Sequence, residues 1–131
     1  MGKPKLLIVE DETAILRALS KVFQREGFDV MAAPDGLRGL AEALEKKPDL
    51  ILLDIMMPGI DGLEMLRRIR EEGGEWGKTV KTIVYTNLSY NEKREEARNL
   101  GVTDFVIKAD VGLAEVMWMV KAELGLPALD D

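Results

Sequence analysis

The chain has no cysteine and no histidine among its 131 residues. Without thiols there is no disulfide, no thiolate nucleophile and no Cys-ligated zinc, which fits a reducing compartment. Without imidazole there is no Ser-His or Cys-His nucleophile system, no imidazole acid–base catalysis and no phosphohistidine carried by this chain. No apolar run approaches the roughly 18 residues that a membrane span requires. The N-terminus passes almost directly into a strand with no signal-peptide pattern, so a cytoplasmic location is expected. No basic run stands out, and 24 acidic residues against 18 basic ones leave a net charge of −6, which argues against direct nucleic-acid binding. One globular domain remains. A chain of this size buries about two-thirds of its unfolded surface.

Five short apolar runs carry the rest of the reading. Lys5-Leu6-Leu7-Ile8-Val9 stops at Glu10-Asp11, and Asp49-Leu50-Ile51-Leu52-Leu53 stops at Asp54. Thr82-Ile83-Val84-Tyr85 stops at Thr86, and Phe105-Val106-Ile107 stops at Lys108. Phe28-Asp29-Val30-Met31 is the remaining strand. Runs this short and this rich in Ile, Leu and Val read as buried parallel strands. Helical periodicity lies between them. Glu12 to Glu26 places Ile15, Leu16, Leu19, Val22 and Phe23 on one stripe and ends at Gly27. Pro34-Asp35 starts a helix to about Lys47 with Leu37, Leu40, Ala41 and Leu44 inward, stopped by Pro48. A Pro58-Gly59 turn leads to Asp61 as N-cap of a helix through Glu72 that buries Leu63, Leu66 and Ile69.

Gly73 to Gly77 reads as a loop. Ser89 or Asn91 caps a charged helix ended by Gly101, and Asp110 caps the last helix, closed by Pro127. On that helix Leu113, Val116, Met117, Val120 and Leu124 point inward, which leaves Trp118 outside beside Met119 as a candidate contact surface. The domain spans 1–125, with 126–131 a short tail. Parallel strands need right-handed crossovers, so five strands and five helices imply an α/β, doubly wound (βα)5 sheet. The common order is the flavodoxin-like 2-1-3-4-5, which makes the ends of the first and third strands neighbours.

In such sheets the chemistry gathers outside the carboxyl ends of the strands. Here those ends deliver Glu10, Asp11, Asp54, Thr86 and Lys108. Three carboxylates sharing a pocket repel by about 4 kcal/mol per pair at ~4 Å and an effective dielectric near 20. A Mg2+ offsets that, since it takes one or two carboxylates, waters and phosphate oxygens. Asp54, with a loop on its C-terminal side, is the natural nucleophile for a phosphoryl group. Lys108 and Thr86 are the natural partners of the phosphoryl oxygens.

The stretches Leu7-Ile8-Val9-Glu10-Asp11-Glu12, Leu52-Leu53-Asp54-Ile55-Met56-Met57-Pro58-Gly59-Ile60-Asp61-Gly62, Tyr85-Thr86 and Phe105-Val106-Ile107-Lys108 resemble the receiver domain of two-component response regulators. The resemblance runs from about residue 4 to 125. It implies that Asp54 accepts a phosphoryl group from a sensor histidine kinase or a phosphotransfer protein. It also implies that Glu10, Asp11, Asp54 and the Met56 carbonyl hold Mg2+, and that Thr86 and Phe105 form a switch. Output would leave through the charged helix, the fifth strand and the last helix, with self-association through that face and Trp118 and Met119 in the contact. In this family the lysine is usually followed by a cis proline. Here Ala109 follows, and a non-proline cis bond costs about 2.5–4 kcal/mol, so a trans bond or an altered loop is expected. Two alternatives share the fold. One is a phosphorylation-independent pseudo-receiver. The other is an Asp-nucleophile phosphatase, disfavoured because the acid it needs two residues on is replaced by Met56.

Overall fold

The computed structural model describes residues 2–87 and 91–127. In chain order the elements are β1 (Lys5–Val9), α1 (Thr13–Arg25), β2 (Asp29–Ala33), α2 (Gly36–Lys46), β3 (Leu50–Leu53) and α3 (Gly62–Glu72). They continue with α4 (Gly74–Thr79), β4 (Lys81–Thr86), α5 (Asn91–Asn99), β5 (Asp104–Ile107), a 3-10 turn at Lys108–Asp110 and α6 (Leu113–Glu123). The sheet is parallel throughout, in the order β2-β1-β3-β4-β5. The expected fold class and strand order are therefore observed.

Side chains alternate across a strand, which explains why these runs are apolar without a break. Leu6, Ile8, Leu50, Leu52, Ile83 and Tyr85 meet Leu19 and Phe23 of α1 and Val116, Met117 and Val120 of α6. Leu7, Val9, Ile51 and Leu53 face the other way, onto Ala43 of α2 and Met65, Leu66 and Ile69 of α3. Both faces are covered, so both parities must be hydrophobic. A smaller cluster of Ile55, Leu63, Val84 and Ala97 sits under α5.

Five local expectations differ from the structure, the simplest being Leu113, read as inward on the last helix but exposed at its first position. The inward side of α2 is Gly36, Gly39 and Ala43, whereas Ala41 is exposed and Leu37 is 57% exposed. The reason is proximity. A Cβ at Gly36 would lie 2.7 Å from Ile60 Cγ1, and one at Gly39 would lie 2.8 Å from Met65 Sδ and 2.9 Å from Val9. The helix packs too tightly for leucine there. The Gly73–Gly77 segment is not a loop, because the chain re-enters a helix at Gly74 and forms α4. Trp76 fixes that turn by donating its indole N–H to the Pro48 carbonyl at 2.9 Å, which assigns this tryptophan to packing. Asp110 does not cap α6; it belongs to the 3-10 turn. The cap is Gly112, whose N–H donates to Glu115 Oε1 at 3.3 Å. Finally, β2 begins one residue late and extends to Ala33, because it pairs with β1 along its whole length, up to Val9. Ser89 and the tail beyond Pro127 lie outside the described residues.

Arg70, near the end of α3, makes a contact with no sequence signature. Its Nε donates to Leu100 O at 2.9 Å and its Nη1 to Gly77 O and Val80 O at 3.0 Å each. Its Nη2 donates to Gly101 O at 3.2 Å. One half-buried guanidinium thus ties α3 to the C-terminal ends of α4 and α5. Burial pulls its pKa below the ordinary arginine value.

Candidate functional site

The site is made by register. Val9 pairs with Leu53, Leu53 with Val84, and Thr86 with Ile107. The residues just past β1 and β3 are still held by the ladder: Glu10 N–H donates to Ala33 O and Asp54 N–H to Val9 O, both at 3.0 Å. Glu10, Asp11 and Asp54 consequently offer oxygens that all lie within 4.8 Å of one another. The α3 N-terminus presses on the same spot. A Cβ at Gly62 would come within 2.1 Å of the Asp54 carbonyl oxygen, so no other residue fits there. On the free side, Met56 N–H donates to Asp54 Oδ1 at 3.3 Å while its side chain points to solvent.

Lys108 closes the cluster. Its ammonium lies 2.5 Å from Glu10 Oε1, 3.0 Å from Asp54 Oδ2 and 3.8 Å from Glu12 Oε1. The side chains of Lys108, Glu10 and Asp54 are only 7%, 2% and 6% exposed. Glu10 Oε2 accepts from the Glu12 N–H at 3.1 Å, which fixes the carboxylate from its other oxygen. The carboxylate repulsion read from sequence is therefore already partly offset by an ammonium. Burial pushes the Glu10 carboxyl above its ordinary value, and the Asp54 charge adds to this against the opposing Lys108 contact. Burial acts on Lys108 in the opposite sense, but its hydrogen bonds to Glu10 and Asp54 outweigh it and leave the ammonium above its ordinary pKa. The Tyr85 ring lies 5.7 Å from the same ammonium.

Thr86 is fully buried at the end of β4. Ala109 and Asn87 are exposed and line, with Ile15, Tyr85, Lys108 and Leu113, a cleft of about 440 Å3 beside the site. No described peptide bond is cis; the chain after Lys108 turns instead through one 3-10 turn. Phe105 is half-buried on β5, with the Arg94 guanidinium 4.7 Å from its ring centroid. Trp118 is 57% exposed on α6, as expected, whereas the neighbouring Met119 is half-buried against the core.

Glu12 was legible only as a first-turn helix residue, yet it is the N-cap position of α1 and a third carboxylate near Lys108. The i,i+2 spacing from Glu10 was the one available signal. As a donor set, Glu10, Asp11 and Asp54 are all carboxylate oxygens, which suits a hard cation such as Mg2+ and no soft one.

A doubly wound parallel sheet with this acidic cleft at its carboxyl edge is the arrangement expected of a CheY-like receiver domain. The comparisons agree. The sequence pattern of the response regulator receiver domain matches residues 6–120, and the chain belongs to that family, the receiver domains of two-component response regulators. It is 38% identical over 123 residues to the transcriptional regulatory protein ResD of Bacillus subtilis, which is 94% of this chain and 49% of that protein. The chain thus spans about half the length of that relative. A CheY-like receiver domain protein from Methanospirillum hungatei superposes with a TM-score of 0.85 at 27% identity, over 95% of each chain. The receiver domain of a sensor histidine kinase from Pseudomonas aeruginosa, solved with magnesium coordinated in its active-site cleft, gives a TM-score of 0.82 at 26% identity. That match covers 95% of this chain and 99% of that one. Among the described residues no helix is long and apolar enough to cross a membrane.

Proposed function

We propose that Asp54 is the phosphoacceptor of this receiver and takes its phosphoryl group from a phosphohistidine on a sensor histidine kinase or phosphotransfer protein in the cytoplasm. The observation that carries the reading is the buried Lys108 ammonium seated between Glu10 and Asp54, 2.5 Å and 3.0 Å away. A carboxylate oxygen of Asp54 attacks phosphorus, the P–N bond of the donor breaks, and the departing imidazole nitrogen takes up a proton. Met56 N–H, donating to Asp54 Oδ1, holds the carboxylate's second oxygen and leaves one face for attack. Lys108 then shifts its contact from Asp54 to the phosphoryl oxygens, and Thr86 contributes its hydroxyl. Glu10, Asp11, Asp54 and the Met56 carbonyl would hold Mg2+, which when bound neutralises phosphoryl charge during transfer. The chain transforms no separate substrate and acts only on its own phosphorylation state.

The signal leaves through the face made by α5, β5 and α6. Movement of Thr86 toward the phosphoryl group opens space that Phe105 fills by turning inward, which re-sets a packed surface. Trp118, exposed on α6 with Met119 behind it, contacts a second copy or an output partner. Mass spectrometry after treatment with acetyl phosphate and Mg2+ tests the assignment. A single adduct on wild type and none on Asp54→Asn is the expected result. Turnover of the donor without an adduct would indicate a phosphatase, and no reaction a phosphorylation-independent module. Trp118→Ala should weaken association of the phosphorylated form in sedimentation while leaving the adduct intact.

A further inference from the structure

The helix α5 is charged along most of its length, and its neighbours show how such charges normally settle. Lys93 lies 3.8 Å from Asp61 and 3.5 Å from Glu96, and Arg98 lies 3.1 Å from Glu95. Arg94, between them in sequence, forms an ion pair with none of the described residues. Its guanidinium carbon instead lies over the Phe105 ring, 4.7 Å from the centroid. The same side chain packs against the cluster of Ile55, Leu63, Val84 and Ala97. Ala97 is the buried apolar contact of α5, and the C-terminal end of the helix is held by Arg70 through Leu100 and Gly101. The middle of the helix is therefore joined to β5 by the Arg94 cation on the Phe105 ring and by Ala97 packed beside it.

We propose that Arg94 is a positioning residue that latches Phe105 in the half-buried place it occupies here, outward of full burial, and so sets how readily the switch operates. The inference rests on the reading of Phe105 as the switch aromatic. A guanidinium over an aromatic face is attracted by the ring quadrupole, and an exposed pair of this kind shifts an equilibrium by about two- to fivefold. When Phe105 turns inward the guanidinium loses the ring and is released beside Glu95 and Glu96, on the surface that carries the signal.

Linkage gives a test with a sign. A ligand that favours the inward conformation binds more tightly once the outward one loses its latch. The probe is beryllofluoride with saturating Mg2+, titrated calorimetrically as a phosphoryl mimic on Asp54. Arg94→Met should tighten it about two- to fivefold, and Arg94→Lys should do so less, since an ammonium keeps part of the contact. In a Phe105→Leu background Arg94→Met should change nothing. Loss of a cation by itself acts in the opposite direction, because it weakens an anion's binding. Unchanged or weaker binding by Arg94→Met, or the same gain without Phe105, would overturn the latch. Failure of wild type to bind the mimic, with no acetyl phosphate adduct, would overturn the phosphoacceptor reading instead and the latch with it.

Discussion

Replacing Lys108 with methionine is the most informative perturbation of this domain. The side chain keeps its length and loses its charge, so the cleft stays filled while Glu10 and Asp54 lose their shared partner. At an effective dielectric near 20, contacts of 2.5 and 3.0 Å are each worth about 6 kcal/mol gross. Desolvation of three buried charges cancels most of that, and breaking such a cluster from one side costs about 3–5 kcal/mol net. For a domain of this size the melting temperature should fall by about 10–20 °C. The sign of the pH dependence follows from Glu10. Its carboxyl already titrates above its ordinary value because of burial, and Lys108 holds it down. Without Lys108 it rises further. A carboxyl that titrates higher folded than unfolded lets the folded state take up the proton first, so stability returns as pH falls through the folded value. The deficit of Lys108→Met should therefore be large at about pH 7 and shrink toward about pH 5. Urea denaturation at both values measures it. A loss below about 1 kcal/mol, or an equal loss at both pH values, would refute the account of the cleft as a charge-balanced cluster.

Other outcomes follow from the same geometry. Mg2+ should raise the melting temperature, by the equivalent of about 1.4 kcal/mol at ten times its Kd, and Asp11→Ala should remove most of that gain in differential scanning fluorimetry. Arg70→Met should cost about 3 kcal/mol in urea unfolding, since four carbonyls lose a charged donor, and Arg70→Lys should recover less than half of it. Gly62→Ala should cost about 3 kcal/mol or more by the same measurement, because its Cβ meets backbone rather than a yielding side chain.

The strands and the candidate site were legible for one reason: burial on both faces makes a parallel strand an unbroken apolar run, and four of the five runs here end on a candidate-site residue. Asp61 was legible too, since an Asx cap is a local contact, and its side chain accepts from Glu64 N–H at 2.8 Å as expected. The losses have physical causes. Leu37 looked like core by periodicity, but α2 lies so close to Val9, Ile60 and Met65 that only glycine and alanine fit its inner side. Gly74, with φ of +64°, read as the middle of a loop when it is the reversal that starts a new helix. Asp110 had the residue type of a cap and the wrong position, because the chain spends one 3-10 turn before α6. Arg70 joins residues about thirty positions away through their carbonyls, a contact that leaves no trace in side-chain type.

The parallel course of all five strands also decides how the domain can be handled. Helix α6 begins beside the cleft and returns to the opposite pole, where Lys81 Nζ donates to the Glu123 carbonyl at the start of β4. Gly2, Lys3 and Leu126 share a hollow of about 640 Å3 there with Asp49 and Lys81, at the amino ends of the strands. Gly2 and Leu126 therefore lie at the pole away from Asp54, about 15 Å of strand distant. A purification tag, a surface linkage or a fused reporter at either terminus leaves the mouth of the cleft open to a bulky phosphodonor. By the same token, a neighbour docked against that pole is separated from the aspartate by the length of the sheet, and a signal passing between them travels through the strands and their flanking helices.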